Sequence, residues 1–234
     1  MPKQKVNFYI DGFNVYHQIN SYKNKSSNHK CYKWLNYRSL FESIIDKNNE
    51  EIGKIFFFTA IPKGFFPKDK IERHNIYIKA LESVDIEIRE GVFKPDEKIL
   101  QLKYTGYYLK IGFPVEKQTD INIAAHMLRH AYTLDKSMLS KLFLMSGDTD
   151  FVPVLKDIKR FTDKEIGILT RPYDNIVISR DKTTELENQC SIDSNGNHLI
   201  KEITFKNLDN HCFTSSLTCK DGSRISIPRE YQLF

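Results

Sequence analysis

Aspartate side chains follow two apolar runs of the sequence and open a third, helical segment. Asp11 comes directly after the run VNFYI, and Asp148 and Asp150 follow the run KLFLM. Asp120 begins a segment with helical spacing that precedes the second run. Carboxylates packed together repel one another and resist ionisation, and hard divalent cations relieve that repulsion. Oxygen-only ligands select Mg²⁺ or Mn²⁺, so the pattern predicts a metal site suited to phosphodiester hydrolysis.

Each of these acidic residues also has a purely structural interpretation. Asp11 and Gly12 are typical of a turn that ends a strand, and Asp120 is a common N-cap residue. Ser146, Gly147 and Asp148 could form a loop that leads into the next helix, with Asp150 as its cap, and Asn14 could begin another helix. A shared site is favoured because both strand ends carry an aspartate and a third aspartate opens the helix between them.

Strands and helices alternate from residue 6 to about residue 170. Apolar runs rich in β-branched and aromatic residues predict strands, and apolar residues at helical spacing predict helices. The predicted strands are 6–10, 52–59, 84–93, 141–145 and 165–169, with a hairpin over 99–111 that turns at Thr105 and Gly106. The predicted helices begin near Asn14 and lie at 40–45, 69–83 with Asp69 as N-cap, 120–132 and 151–161. This alternation predicts an α/β fold with a mostly parallel sheet covered on both faces, whose strand ends bring the aspartates to one edge.

The alternation fades after Arg171. We divide the protein into a catalytic domain at 1–175 and a linker with a small C-terminal β-rich extension at 176–234. Residues 185–198 are polar and predict a linker, and 200–228 contain short β-like runs with a tight hairpin turn at Asp221–Gly222. Three roles are open for this tail: capping the sheet, forming a homodimer contact, or extending the substrate groove.

The composition is that of a globular protein with a mild basic bias. The 234 residues are 40% apolar and 28% charged, which argues against disorder, and the net charge of +5 suits a polyanionic partner. The sequence shows no signal peptide and no apolar run of roughly 18 residues, so we expect a cytoplasmic protein without a membrane span. Its four cysteines form no CxxC pattern, and free thiols are expected.

A basic and aromatic stretch without any acidic residue extends from Gly12 to Phe41. Cations contact phosphates and aromatic faces stack on bases, so this stretch is a candidate for nucleic-acid binding. The alternative is a solvated loop whose aromatic residues anchor it to the core. Lys117, just before Asp120, is a further candidate that could steady a phosphate or a developing negative charge. With Lys117, the predicted substrate-binding residues are Lys30, Lys33, Arg38, Tyr32 and Trp34.

Three segments of the chain resemble the signature segments of the NYN domain, a branch of the PIN-like nuclease superfamily close to the bacterial LabA-like proteins. They are FYIDGFNVYH at 8–17, EKQTDINIAAHML at 116–128 and LMSGDTDFVPVL at 144–155. The resemblance implies a Rossmann-like α/β/α sandwich. It also implies a metal-dependent ribonuclease that uses Mg²⁺ or Mn²⁺ and acts on RNA.

The resemblance also assigns roles to individual residues. Asp11, Asp120 and Asp148 would be the metal-binding triad, and Asp150 would be a fourth acid that binds the metal directly or through water. Asn14 would orient Asp11 or a phosphate. The donors of hydrogen bonds to these carboxylates would be Ser146 and Thr149.

One position departs from the family pattern. Many members carry another aspartate where this chain has His126, and neutral imidazole binds Mg²⁺ poorly. His126 could contact substrate, bind a softer metal, or pack; we favour packing or contact with the ligating residues.

Three classes of function compete. The leading hypothesis is a metal-dependent endoribonuclease acting on RNA. The second is a non-catalytic RNA-binding regulatory protein that retains the fold. A small-molecule phosphatase with Asp11 as nucleophile is disfavoured, because Phe13 occupies the place where such enzymes carry a second acid.

Overall fold

A seven-stranded sheet runs through the computed structural model, which describes residues 2–24, 26–62, 64, 66–101, 106–170, 172, 180–193 and 195–232. Its strands are β1 (Gln4–Asp11), β2 (Glu50–Ala60), β3 (Ile86–Gln101), β4 (Tyr108–Lys117), β5 (Lys141–Met145), β6 (Glu165–Thr170) and β7 (Ile200–Glu202). The strand order is β4-β3-β2-β1-β5-β6-β7, and every neighbouring pair is parallel except β3 and β4. The predicted mostly parallel α/β sheet is therefore confirmed.

Helices cover both faces of this sheet. They are α1 (Gly12–Ser21), α2 (Tyr37–Ile44), α3 (Lys68–Ser83), α4 (Thr119–Thr133), α5 (Val152–Phe161), α6 (Arg180–Glu187) and α7 (Phe205–Asn210). One hydrophobic core packs α1, α2, α3 and α7 against the sheet, and a second packs α4, α5 and the end of α6 against the opposite face. The result is the three-layer sandwich that the resemblance implies.

The central strand β1 is buried on both faces, which explains its continuous apolar run. Phe8 points to the first core, where its ring stacks on Phe41 of α2 with centroids 4.1 Å apart. Tyr9 points to the second core, where its hydroxyl hydrogen-bonds to His130 Nδ1 of α4 at 2.8 Å. Residues at the end of β1 are consequently held from both layers.

The strand order reverses between β1 and β5. From β1 the chain builds outward through β2 to β3, and from β5 it builds outward in the other direction through β6 to β7. In doubly wound sheets, the two sets of connections diverge at this point and leave a crevice beyond the carboxyl ends of the two strands. A candidate site is therefore expected where β1 and β5 end.

The tail is more ordered than its polar sequence suggests, and the prediction of a linker at 185–198 was wrong. Leu186 and Cys190 are fully buried in the second core, and β7 extends the central sheet beside β6. Leu208 of α7 joins the first core. Burial of a few apolar residues between polar ones is sufficient to anchor a segment whose average composition resembles a linker.

The positions of the two hairpins were predicted correctly, whereas the N-cap of α3 was not. The hairpin β8 (Ser216–Thr218) and β9 (Arg224–Ser226) is confirmed, with Gly222 at φ +82° in its turn. The β3–β4 hairpin is also confirmed, although Thr105 of its expected turn lies outside the described residues, as does the domain boundary at 175. The N-cap assigned to Asp69 was wrong, because Pro67 holds that place and Asp69 pairs with Arg73 at 2.6 Å within the first turns.

Candidate active site

Asp11 lies where β1 ends and α1 begins, and it is the N-cap of α1. Its Oδ1 accepts a hydrogen bond from the backbone N–H of Asn14 at 2.9 Å, and the residue is only 3% exposed. Gly12 permits this tight junction, because a Cβ there would lie 2.7 Å from both the Phe57 ring and the Phe58 carbonyl oxygen. The Asp-Gly pair therefore holds a buried carboxylate at the carboxyl end of the central strand.

Hydrogen bonds tie the loop after β5 to Asp11. Ser146 Oγ donates to Asp11 Oδ2 at 2.9 Å and accepts the backbone N–H of Asp148 at 3.2 Å. Asn14 Oδ1 accepts the backbone N–H of Gly147 at 3.0 Å. Asp11 and Asp148 consequently lie on the same rim of the sheet, where the reversal of strand order leaves its crevice.

Asp148 and Asp150 are joined by a short 3-10 turn over Thr149–Phe151 that leads into α5. Asp148 Oδ1 accepts the backbone N–H of Asp150 at 3.0 Å, so Asp148 caps this turn. The structural alternative in the sequence had assigned the cap to Asp150. Asp150 is exposed, and Thr149 is half-buried at the first position of the turn. Asp150 is therefore accessible from solvent beside Asp148.

The carboxyl group of Asp11 is held in an unfavourable environment for its charge. Burial raises its pKa from 3.8 to about 6, against the lowering effect of hydrogen bonds from Asn14 and Ser146. The negative charges of Asp120 and Asp148 raise this pKa further. A buried acid whose neighbours are other acids is the arrangement that a cation would relieve.

Asp120 stands in the first turn of α4 and belongs to the same electrostatic group. Desolvation raises its pKa, and the charges of Glu116, Asp148 and Asp150 raise it as well. The three segments that the sequence analysis singled out are therefore electrostatically coupled in the folded chain. We call Asp11, Asp120, Asp148 and Asp150 the acidic rim.

Glu116 at the end of β4 is an acid that the sequence analysis did not select. Its Oε1 accepts the backbone N–H of Thr119 at 3.0 Å and also the Thr119 hydroxyl. The turn between them depends on Gln118, which has a left-handed backbone at φ 78°. An acid four residues before Asp120 was visible in the sequence, but only this turn brings it back toward the start of α4.

Tyr32 and Trp34 are anchors of the core, and their assignment to base stacking was wrong. Both are fully buried. The Tyr32 hydroxyl donates to Asp209 Oδ1 at 2.8 Å, and Trp34 Nε1 donates to the Thr214 carbonyl at 3.1 Å. The alternative that the aromatic residues anchor this stretch is confirmed for these two, and their partners come from the tail.

The basic residues of the same stretch have different surroundings. Arg38 donates to the carbonyl groups of Val84 and Asp85 and so joins α2 to the α3–β3 connection; its assignment to substrate stays a prediction. Lys30 is exposed, and Lys33 places its Nζ 5.1 Å from the centre of the Tyr16 ring. Lys33 is thus the member of this stretch that lies over the surface of α1.

His126 and Lys117 flank Asp120 along the chain. The His126 ring packs 5.4 Å from the Phe58 ring and 5.5 Å from the His130 ring, measured between centroids, which supports the packing interpretation. Lys117 is exposed at the last position of β4. Its role toward a phosphate stays a prediction.

The acidic rim offers only oxygen ligands, and this donor set suits a hard divalent cation. Within the described residues, no lysine or arginine forms an ion pair with any member of the rim. The same part of the chain contains no group of three His, Cys, Asp or Glu side chains placed closely enough to hold an ion. The donor types of the rim therefore fit a divalent cation, while the described side chains form no cluster of three ligands.

The chain belongs to the NYN domain family, whose model matches residues 5–194. The family is nuclease-like and consistent with the PIN-like superfamily, its members typically use divalent metals, and the domain suggests nucleic-acid binding. None of the helices in the described ranges is long and apolar enough to cross a membrane.

A solved structure supports the fold. The crystal structure of VPA0982, a protein of unknown function from Vibrio parahaemolyticus RIMD 2210633, matches 91% of this chain and 98% of its own chain with a TM-score of 0.51. The sequence identity is 15%, so the likeness concerns the fold alone. No curated protein matches the chain.

Proposed function

We propose that this NYN domain protein is a metal-dependent endoribonuclease that hydrolyses phosphodiester bonds of RNA at the acidic rim. The observation that carries the proposal is Asp11, a carboxylate that is 3% exposed, hydrogen-bonded to Ser146, and under the charges of Asp120 and Asp148. A structural role alone does not account for a buried Asp11 with three further acids near it and no cationic partner among the described residues, because burial of the Asp11 charge costs stability.

Different residues at the rim would bind the cation and position the ligating carboxylates. Asp11, Asp120 and Asp148 would hold Mg²⁺ or Mn²⁺, with Asp150 as a fourth ligand directly or through water. When bound, the ion supplies a Lewis acid and a water of lowered pKa. Ser146 orients Asp11 through its hydroxyl. Asn14 holds the loop after β5 in place through Gly147.

Hydrolysis forms one bond from a water oxygen to phosphorus and breaks one ester bond from phosphorus to oxygen. The leaving oxygen gains a proton, and the phosphate product carries the added negative charge. Lys117 lies three residues before Asp120 and would balance charge on the phosphate.

The test is cleavage of mixed-sequence RNA and DNA with Mg²⁺, with Mn²⁺ and with EDTA. We expect cleavage of RNA that needs the metal and falls by at least about a hundredfold in Asp11→Asn and in Asp148→Asn, since each removes a charged ligand. Asp135→Asn serves as a matched control, because Asp135 is exposed in the α4–β5 connection.

Cleavage that persists in EDTA, or survives both rim substitutions, would contradict the proposal. Retention of RNA without any cleavage would instead favour the second candidate, a non-catalytic RNA-binding regulatory protein. Comparison of RNA with DNA in the same assay decides the substrate class.

A further inference from the structure

A cavity of about 700 Å³ opens beside the acidic rim, between α1, α3, the β3–β4 hairpin and the tail. Its volume lies within the range of roughly 300–1,000 Å³ that is typical of small-molecule sites. Gly12 lines the cavity, so it begins one residue after Asp11. No part of the function proposed above uses this space.

Aromatic side chains dominate the wall. The rings of Phe13 and Phe66 each meet the ring of Phe93 edge to face, with centroids 5.6 Å and 4.9 Å apart. Tyr16 and Phe113 extend the aromatic surface. Flat, apolar walls of this kind bind planar rings by stacking.

Cations lie over these rings. Lys33 Nζ is 5.1 Å from the centre of the Tyr16 ring, and Lys70 Nζ is 4.3 Å from the centre of the Phe66 ring. Neither lysine forms an ion pair with a carboxylate in the part of the chain that the structure describes. The third cation of the wall, Arg73, is already paired with Asp69 at 2.6 Å and Glu230 at 2.8 Å. The cavity therefore presents two cations that can accept an anion.

A buried histidine adds a polar group to the same wall. His74 lines the cavity, and its Nε2 is buried without a hydrogen-bond partner among the described residues. Burial, followed by the charge of Lys70, lowers the pKa of His74 to about 4, so the ring is neutral near pH 7. A buried ring nitrogen without a partner beside a cavity can hydrogen-bond to a water or to a ligand atom in that cavity.

Two residues of the cavity wall are neighbours of the acidic rim. Gly12 joins the wall to Asp11, and Glu116 lines the cavity while its charge acts on Asp120. The tail closes the far side, where Tyr231 and Glu230 belong to the wall. A ligand in the cavity therefore lies next to the place proposed for the scissile phosphate.

We propose that this cavity binds one unpaired nucleotide of the RNA strand, with its base against the aromatic wall and a phosphate facing Lys33 or Lys70. This inference rests on the proposed function and specifies its substrate as RNA with an unstacked nucleotide beside the cleaved bond. The aromatic rings can stack on the base, and the lysines can contact the phosphate. The position of Gly12 and Glu116 in the wall places this nucleotide beside the acidic rim. A free nucleotide carries the same base and phosphate as a nucleotide within an RNA strand. The experiment below distinguishes these two possible ligands of the cavity.

The test measures binding in EDTA, so that no cleavage contributes to the result. The probes are a short single-stranded RNA of mixed sequence, an abasic strand of the same length, and adenosine and uridine monophosphates. The variants are Tyr16→Ala and Lys70→Ala. Their matched controls are Tyr132→Ala and Lys156→Ala, because Tyr132 is 50% exposed on α4 and Lys156 is exposed on α5, away from the cavity.

We expect Tyr16→Ala to weaken RNA binding by about tenfold, and Lys70→Ala by a smaller factor with a shallower salt dependence. The controls should bind as the unmodified protein does. The abasic strand should bind more weakly than RNA and should be insensitive to Tyr16→Ala. Monophosphates that bind as tightly as the strand, and are lost in Tyr16→Ala, would support the cavity with a free nucleotide as its ligand.

Equal binding of RNA and abasic strand, or unchanged affinity in both cavity variants, would overturn the inference. This failure is distinct from failure of the proposed function, since cleavage with Mg²⁺ that depends on Asp148 would still stand. Conversely, RNA binding that is lost in Tyr16→Ala while no metal supports cleavage would retain the cavity and refute the nuclease.

Discussion

At the amino-terminal edge of the sheet, Lys141 at the start of β5 lies between two carboxylates. Its Nζ is 2.7 Å from Glu50 Oε1 and 3.2 Å from Glu165 Oε2, and the Glu50 side chain is only 6% exposed. At the carboxyl edge, Asp11 and Asp148 have hydrogen-bond donors but no cationic partner among the described residues. Among the described residues, the sheet thus carries compensated charge at its amino-terminal edge and uncompensated charge at its carboxyl edge.

This difference separates charges that the fold compensates from charges that the described residues leave uncompensated. Partners on neighbouring strands stabilise the buried charges at the amino-terminal edge, and a ligand from outside would add nothing there. At the carboxyl edge the described residues provide no counter-ion for the negative charge, which costs stability and is the arrangement that a cation would relieve. Substitutions at the two edges should therefore have opposite effects on folding.

The largest effect is expected for Lys141→Met. It leaves Glu50 buried without its partner, and we expect a loss of about 4 kcal/mol in the free energy of unfolding, measured by urea denaturation at neutral pH. Lys54→Met is the matched control. Lys54 pairs with Glu87 while 62% exposed, so its loss should cost less than about 1 kcal/mol. Equal losses in the two variants would contradict the view that the amino-terminal edge is a compensated buried site.

Asp11→Asn should change the free energy of unfolding in the opposite direction, as a gain. Because the folded pKa is raised from 3.8 to about 6, the folded state retains the proton longer than the unfolded state does. The stability of the metal-free protein therefore falls as the pH rises through this window, and the loss is complete above it. Asn carries no charge, so the variant should be more stable than the unmodified protein at pH 8, by at most about 3 kcal/mol.

The measurement is urea unfolding of both proteins in EDTA, at pH values below, within and above that window. The gain in the variant should disappear toward the acidic end, where Asp11 is protonated in both states. A gain that is independent of pH, or a loss at pH 8, would show that the charge of Asp11 is already compensated.

Ser146→Ala should have the smallest effect of the three. It removes the hydroxyl that donates to Asp11 and accepts from the Asp148 backbone, without removing a ligand. We expect the Mg²⁺ concentration for half-maximal cleavage to rise by about tenfold.

The control is Ser140→Ala at the other end of β5. Ser140 is also buried, and its hydroxyl donates to the Lys136 carbonyl at 2.8 Å. This variant should shift stability without shifting the Mg²⁺ requirement. If both serine variants change the requirement equally, the effect of Ser146 is one of general stability.

The fold was largely predictable because the strands that matter are short, fully buried and rich in β-branched or aromatic residues. The prediction for β5 at 141–145 matches the structure, and that for β1 falls short only at its ends. The polar segment at 185–198 was not predictable in the same way. Its attachment depends on single buried residues such as Leu186 and Cys190, which carry no periodic signal.

The candidate site was predictable in part. Asp11, Asp120, Asp148 and Asp150 were selected from their places at strand and helix ends, and the structure couples their charges. The exposure of Tyr32 and Trp34 was misjudged, since residue type does not reveal whether Tyr32 faces solvent or the core. Its burial depends on partners more than 170 positions away in the chain, among them Asp209.

The sequence by itself determined the order of strands and helices and the positions of the aspartates at their ends, because both follow from local hydrophobic patterns. Tertiary structure alone decided which strands are neighbours, and so placed β1 beside β5 and Ser146 within hydrogen-bonding distance of Asp11. It also decided that Glu230 and Tyr231 of the tail line the same cavity as Gly12. Contacts between distant segments arise from packing of whole layers, which no local pattern specifies.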